Sequence, residues 1–517
     1  MRKRNVWGIA FCIIFLLAVF FRLPPLVHSA IPFTYDTGLT FLEVRNMVLG
    51  HGLRLIGPEG GIKGIFFGPT WYYLLGIIFF FSGGDPRSLA FLSFILNITT
   101  IFVAWKIGNK VDKKTGFFAA SFFAFSSGII SSSNSGFVVD TFVLINLIAV
   151  YFLIPPLTQK KLFFLGFWGS LSFHFEPVVA IGFNLALFVL LFSPIRKLSL
   201  RDKLFLSFVW LLPFVPQLLF EIRHNFLQTH AIIAELARFG QGLGGNLPIG
   251  MRLINRPLLL INNFISTTSN GNMFLSFLLL FYLVIGLSHI KDKKNTTKKT
   301  LAMSCFIFLV IPLFYYIFLF PPGIKNWYYA SFPALYGILI TLGLSSLFVN
   351  QLIKFIVLFT LFLFILINTQ PQTYLQLFNE NFPSNDPSSL KNELSIVKWI
   401  YADANGKPFV VYTYSPAVYD YPYQYLFWWY ARKQNLPYPK DVSYRPNTYD
   451  YVPQKLSFTQ PPETGDTFTT YLIFLPYHPE YHRYWLPEHF LIPFAATQLM
   501  SKNSFPGELI VEKRIKQ

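Results

Sequence analysis

RKRNVWGIAFCIIFLLAVFFRLPP, residues 2–25, decides what kind of chain this is. Arg2, Lys3 and Arg4 precede an apolar run that ends at Leu-Pro-Pro. A basic stub before an apolar stretch also opens a secretory signal peptide, which needs a small residue three positions before its cleavage site. The one candidate site, VHSA at 27–30, puts His28 there. The stretch therefore reads as an uncleaved first membrane span with its basic end in the cytoplasm.

Similar apolar runs recur as far as about residue 370 in a chain of 517 residues. Charged residues make up only 13% of it, against about 25% in soluble proteins. The runs lack the alternation of a membrane barrel, and a helix satisfies its own backbone hydrogen bonds in lipid. About eleven helices are expected, at 5–21, 88–105, 116–133, 139–156, 162–175, 178–193, 204–220, 273–289, 301–320, 328–348 and 352–368. Every second turn is basic: KIGNKVDKK (106–114), QKK (159–161), RKLSLRDK (196–203), KDKKNTTKK (291–299) and Lys354. That alternation assigns these turns to the cytoplasm and accounts for much of the net charge of +18 without invoking nucleic acid. Cys12 and Cys305 fall inside spans, too sparse for a disulfide framework or zinc site, and read as small buried hydrophobes.

The expected fold class is an all-α polytopic membrane protein with a small C-terminal α+β domain. Residues 1–369 form the transmembrane part and 370–517 a soluble extracytoplasmic domain. In the tail, KNELSIVKWIY reads as an amphipathic helix, and KPFVVYTYS, TYLIFLPY and ELIVEKR read as strands. Its aromatic density suits a domain resting on the membrane surface or covering the first outer loop. Outside the membrane also lie that loop, 22–87, and a second of about fifty residues, 221–272, with the Gly-rich FGQGLGGN.

The first loop carries FTYDTGLTFLEVRNMVLGHG (33–52). Helical spacing puts Asp36, Thr40 and Glu43 on one face. The segment is too short and polar to span, so an in-plane helix is expected. A structural reading makes Asp36 a helix N-cap and Thr40 with Glu43 a capping box. HGLRLIGPEGGIKGIFFGPTWYYLLG (51–76) then forms an irregular loop and a second in-plane helix from Pro69.

With these residues in view, the chain resembles the C-type membrane glycosyltransferase superfamily. It is most similar to the branch of the protein O-mannosyltransferases (the dolichyl-phosphate-mannose-protein mannosyltransferase family) and the lipid A aminoarabinose transferases. The resemblance covers roughly residues 5–350 in topology and is sharpest at 35–58 and 66–75. It implies a polyprenyl-phosphate-sugar donor, a protein, lipid or glycan acceptor, and inverting transfer at the plasma membrane's outer side. It also implies that Asp36 is the catalytic base and that Asp140 matches a second family acid. The family often has Asp-Glu where this chain has Asp36-Thr37. The aminoarabinose branch carries an acid where this chain has Phe66. No cofactor is required by this reading, and no metal is indicated.

The chemistry asks for few residues. A sugar phosphate is already a good leaving group, so one carboxylate that takes the acceptor proton suffices for single displacement. The phosphate needs cations, which Arg223 and His224 in FEIRHNF and Lys325 in PPGIKNWYY supply at span mouths. Arg54, Lys63 and His174 are candidate substrate contacts, and Glu43, Asp140 and Glu176 candidate supporting acids. For the cations the alternative is snorkelling at the interface. For Asp140 it is a cap, and for His174 with Glu176 a satisfied turn. HPEYH (478–482) has helical zinc spacing, but Pro479 argues for a loop. Two further functions share this topology: a lipid-linked sugar transporter or flippase, and a polysaccharide ligase using a lipid-pyrophosphate donor. A transporter should show paired halves, and no such repeat is visible. A ligase should carry its main loop late in the chain.

Overall fold

A computed structural model of the chain describes residues 6–61, 63–192, 198–237, 247–371, 384–415, 419–446, 468–477 and 486–516. FGQGLGGN, HPEYH and the basic stub at 2–4 lie outside the described residues. Seven helices among those described are long and apolar enough to cross a membrane: Val6–Val27, Ser88–Asn109, Leu200–Arg223, Met273–Lys291, Thr296–Leu319, Asn326–Leu347 and Gln351–Thr369. The four other expected spans are helical but shorter or broken. They become α5 (Lys113–Phe125) with α6 (Ser127–Ser132), α7 (Thr141–Leu153), α8 (Gln159–Leu171) and α9 (Pro177–Phe192).

The chain forms two compact units, neither contiguous in sequence. One comprises Met1–Leu23, Arg54–Trp71 and Ser93–Leu375; the other comprises Pro24–Leu53, Tyr72–Leu92 and Gln376–Gln517.

In the first unit short polar residues start many of the helices. Asp112, Thr158, Ser199, Asn272, Asn295 and Asn350 each accept a backbone N–H from the first turn that follows. The break at Ser126 has a specific support. Arg22, at 0% exposure in α1 (Val6–Val27), donates to the carbonyls of Phe123 and Ala124 at 3.0 and 2.7 Å and to Asn97 Oδ1 at 2.7 Å. A cation at a helix C-terminus satisfies carbonyls that have no partner within the helix. Cys305 is buried as expected, whereas Cys12 is exposed on α1, whose surface is largely apolar and faces outward.

The expected loop 221–272 proves mostly helical: α12 (Leu227–Ala237) and α13 (Ile249–Ser269) fill it. α13 is amphipathic, and its internal Pro257, Asn255 and Asn262 hide the period in the sequence.

The second unit joins two pieces of the first loop to the tail. The tail carries α18 (Leu390–Ala404), β1 (Phe409–Tyr414), α19 (Tyr421–Gln434), β2 (Asp441–Ser443), β3 (Thr469–Phe474), β4 (Thr497–Phe505) and β5 (Leu509–Lys516). The strands form one sheet in the order β2-β1-β3-β5-β4. β1 runs parallel to β2 and β3, and β5 antiparallel to β3 and β4. β1 is buried throughout, as expected of a strand covered on both faces. Val410, Tyr412 and Leu472 pack with Phe490 and Phe494 in its core. α19, β2 and β4 are not among the elements expected from the sequence. The FWWY run of α19 is mostly buried, so it is core rather than surface anchor.

Candidate functional site

In the second unit the two helices expected in the first loop are present as α2 (Tyr35–Asn46) and α3 (Thr70–Ser82), the latter beginning in the first unit. α2 rests on α19. At Gly38 the two backbones touch: a Cβ there would lie 2.4 Å from the Pro422 nitrogen. Tyr35 packs against Tyr421 with ring centroids 4.8 Å apart, Phe41 against Tyr425 at 4.7 Å, both pairs tilted, and the Arg45 guanidinium lies 5.2 Å from the Trp428 ring. The approach to α2 is also tied down. Phe33 N donates to the Ser388 carbonyl at 2.7 Å and Leu390 N to that of Ile31 at 2.9 Å.

Asp36 thus sits in the first turn of a helix held on an aromatic platform. It is not the N-cap; that position is Thr34, which makes no side-chain cap bond. Its carboxylate forms no hydrogen bond or ion pair among the described residues. Water reaches it from one side, while the surrounding protein raises its pKa by desolvation. Thr40 lies inside α2, so T-x-x-E is no capping box here. Glu43 is half-buried, in the field of Arg45.

The first unit holds the other candidates. Residues 57–67 form a small hairpin, with Gly57 N on the Phe67 carbonyl and Phe67 N on that of Pro58. Lys63 is exposed in it, and Arg54 half-buried before it. Phe66 N donates to Gln228 Oε1 at 3.0 Å. The Gly68-Pro69 segment lies against His174. A Cβ on Gly68 would fall 2.1 Å from the imidazole Cγ, and Thr70 Oγ1 pairs with Nδ1 at 2.7 Å. His174 is 3% exposed and its Nε2 makes no well-formed hydrogen bond among the described residues. Its contacts with Gly68 and Thr70 position the loop.

Glu176 does not pair with His174 in a satisfied turn. It is 8% exposed, and its only hydrogen bond among the described residues is a long one of 3.4 Å from Val178 N. Burial pushes its pKa up to about 7. It lies in the electrostatic range of Tyr315, Tyr316 and Tyr328. Asp140 precedes α7 without capping it; its carboxylate accepts from Ser135 Oγ at 2.6 Å. It lines a small recess with Ser93, Asn97, Thr100 and Ser132.

The cations divide sharply. Arg223 and His224 are exposed, and the His224 ring stacks on Phe220 at 4.2 Å. Lys325 is exposed, 5.8 Å from the Trp327 ring. Two arginines not singled out in the sequence occupy the neighbouring turn. Arg252 donates to the Ile317 carbonyl at 2.8 Å, and Arg256, 1% exposed, to that of Pro322 at 2.6 Å. The Tyr329 hydroxyl donates to the Arg256 carbonyl at 2.9 Å, and Tyr316 to that of Tyr328 at 3.1 Å. Neither guanidinium meets a carboxylate among the described residues, and the Nε of each has no partner. Burial, and then the charge of Arg252, disfavour the cation at Arg256, against the pull of Tyr329. A buried cation without a counter-ion is costly unless an anion arrives. Only its i, i+4 spacing marked the pair, in a segment read as a loop. Among the described residues no group of three or more His, Cys, Asp or Glu side chains gathers as a metal site.

A polytopic helical body, two short helices in the first loop and a C-terminal mixed sheet make a fold that this chain shares with a solved membrane protein. The particular likeness is to ArnT from Cupriavidus metallidurans. Its apo structure matches 98% of this chain and 98% of its own, with a TM-score of 0.60 and 12% identity. Its structure bound to undecaprenyl phosphate matches 99% of this chain and 98% of its own, with a TM-score of 0.62 and 12% identity. No protein-family model and no curated protein sequence matches the chain. At 12% identity the likeness carries the fold and not the role of any residue.

Proposed function

We propose that this protein is an integral membrane glycosyltransferase. It moves a sugar from a polyprenyl-phosphate donor to a hydroxyl-bearing acceptor on the extracytoplasmic side, with inversion. The carrying observation is Asp36, a carboxylate without a hydrogen-bond or ion-pair partner among the described residues, at the start of a first-loop helix. It stands in a fold shared with a protein that binds undecaprenyl phosphate. The acceptor oxygen forms the new bond to the anomeric carbon while the carbon–oxygen bond to phosphate breaks. Asp36 takes the acceptor proton, and the polyprenyl phosphate leaves with the electron pair. Arg252 and Arg256, with Lys325 at the same turn, are the groups we assign to the phosphate. The basic turns put the N-terminus in the cytoplasm and Asp36 outside.

The test uses purified enzyme in nanodiscs with a panel of radiolabelled polyprenyl-phosphate sugars and a broad acceptor mixture. One donor is consumed by wild type, and Asp36→Asn binds it but transfers little. Normal turnover by Asp36→Asn overturns the base assignment. Consumption of no donor, together with lipid-linked sugar flux in liposomes, overturns the transferase reading.

A further inference from the structure

The first unit holds a groove far along the chain from the residue proposed as the base. The end of α4 (Ser88–Asn109), with α7 and α8, encloses a groove of about 300 Å³. Its walls are Phe102, Tyr151, Phe152, Phe164 and Trp168, with Lys106 among them. Phe152 and Phe164 stack face to face at 4.8 Å and form a flat apolar side.

Three ammonium groups surround this aromatic lining. Lys106 Nζ lies 4.6 Å from the Phe102 ring centroid and Lys110 Nζ 5.8 Å from that of Tyr151. Lys161 Nζ donates to the Ile154 carbonyl at the end of α7. None of the three forms an ion pair among the described residues. Lys161 is close enough to Lys110 that, after burial, the charge of Lys110 is what disfavours its own. Rings hold lysines loosely by cation–π attraction, and one carbonyl satisfies one of three N–H donors on Lys161. Most of the hydrogen-bonding capacity of the cluster is left for an external anion.

We propose that this groove binds one anionic phospholipid, its headgroup phosphate between Lys106, Lys110 and Lys161 and an acyl chain against the aromatic walls. A basic pocket between spans is the chemistry that retains acidic lipids. A free phosphate would satisfy the cations and leave the apolar groove to water. A neutral lipid would fill the groove and leave the cations uncompensated. The turn 106–114 reads as cytoplasmic, so the lipid belongs to the inner leaflet.

Native mass spectrometry of the full-length protein tests this by titrating phosphatidylglycerol against phosphatidylcholine at low salt. Wild type should retain one phosphatidylglycerol in preference to phosphatidylcholine. The triple variant Lys106→Gln, Lys110→Gln, Lys161→Gln should lose that lipid by at least about tenfold in affinity, since each lysine near the surface contributes about fivefold. The matching Lys→Arg triple should keep it. Lys291→Gln, Lys293→Gln, Lys294→Gln removes equal charge from another basic turn and should change nothing. Ile148→Trp, which fills the groove but leaves its charges, should also weaken retention. Equal loss in both glutamine triples, unchanged binding in the groove triple, or no preference over phosphatidylcholine each overturns the site. A melting curve on each variant shows that it is folded.

Discussion

Two helices outside the candidate spans, α2 and α13, bring the chain's polar chemistry, and they treat charge in opposite ways. α2 leaves Asp36 exposed, with no hydrogen-bond or ion-pair partner among the described residues, and buries Arg45 against Trp428. α13 buries Arg256 and ties Arg252 and Arg256 to the turn that ends in Tyr329. A base that must exchange protons is served by access to water. A cation that must grip phosphate is served by low dielectric, where its attraction is least screened.

Breaking the α2 side should have the largest effect. Asp36→Asn should lower turnover by about 10²–10⁴, with donor binding retained in equilibrium capture of radiolabelled donor. The same variant should not lower the melting temperature. Desolvation raises the folded pKa of Asp36, so its ionised form opposes folding once the pH exceeds the unfolded value. Asparagine removes that opposition.

Breaking the α13 side should move binding rather than chemistry. Arg256→Gln should weaken donor binding by roughly 10- to 100-fold, the equivalent of about 1.5–3 kcal/mol for a hydrogen bond to a charged group, in the same capture assay. An unchanged affinity would take the phosphate away from α13.

Gly38→Ala sharpens the comparison by displacing Asp36 without touching its chemistry. With a Cβ 2.4 Å from Pro422 N, α2 must move off α19. Overpacking of this kind costs about 1–3 kcal/mol, visible as a lower melting temperature together with lower turnover. Smaller still is the pH effect at Glu176. Burial lifts its folded pKa to about 7, above the ordinary glutamate value of 4.5. It therefore contributes stability below the unfolded value that is lost as pH rises through about 7. Glu176→Gln should flatten that fall in melting temperature. Arg223→Gln, at an exposed residue, should change turnover by less than about twofold.

Much of the architecture was legible because membranes simplify the reading. Apolar length marks spans, and the basic turns are expected to mark a side. Every expected span is helical, though α5 and α6 part at Ser126, where Arg22 reaches in from 101 residues away. α13 was missed because Pro257 and its asparagines look like a loop, and a helix outside the membrane need not be apolar throughout.

By itself, then, the sequence determined the membrane class and the two short helices of the first loop, and it offered Asp36 as a candidate. These rest on local composition and short-range spacing, which need no knowledge of distant partners. Only the tertiary structure decided that the FWWY run is core under α2, that Gly38 must lack a side chain, and that Arg252 and Arg256 share a turn with Tyr329. Each is a contact between segments far apart in the chain. Burial and an absent counter-ion are properties of such contacts, not of any residue's neighbours in sequence.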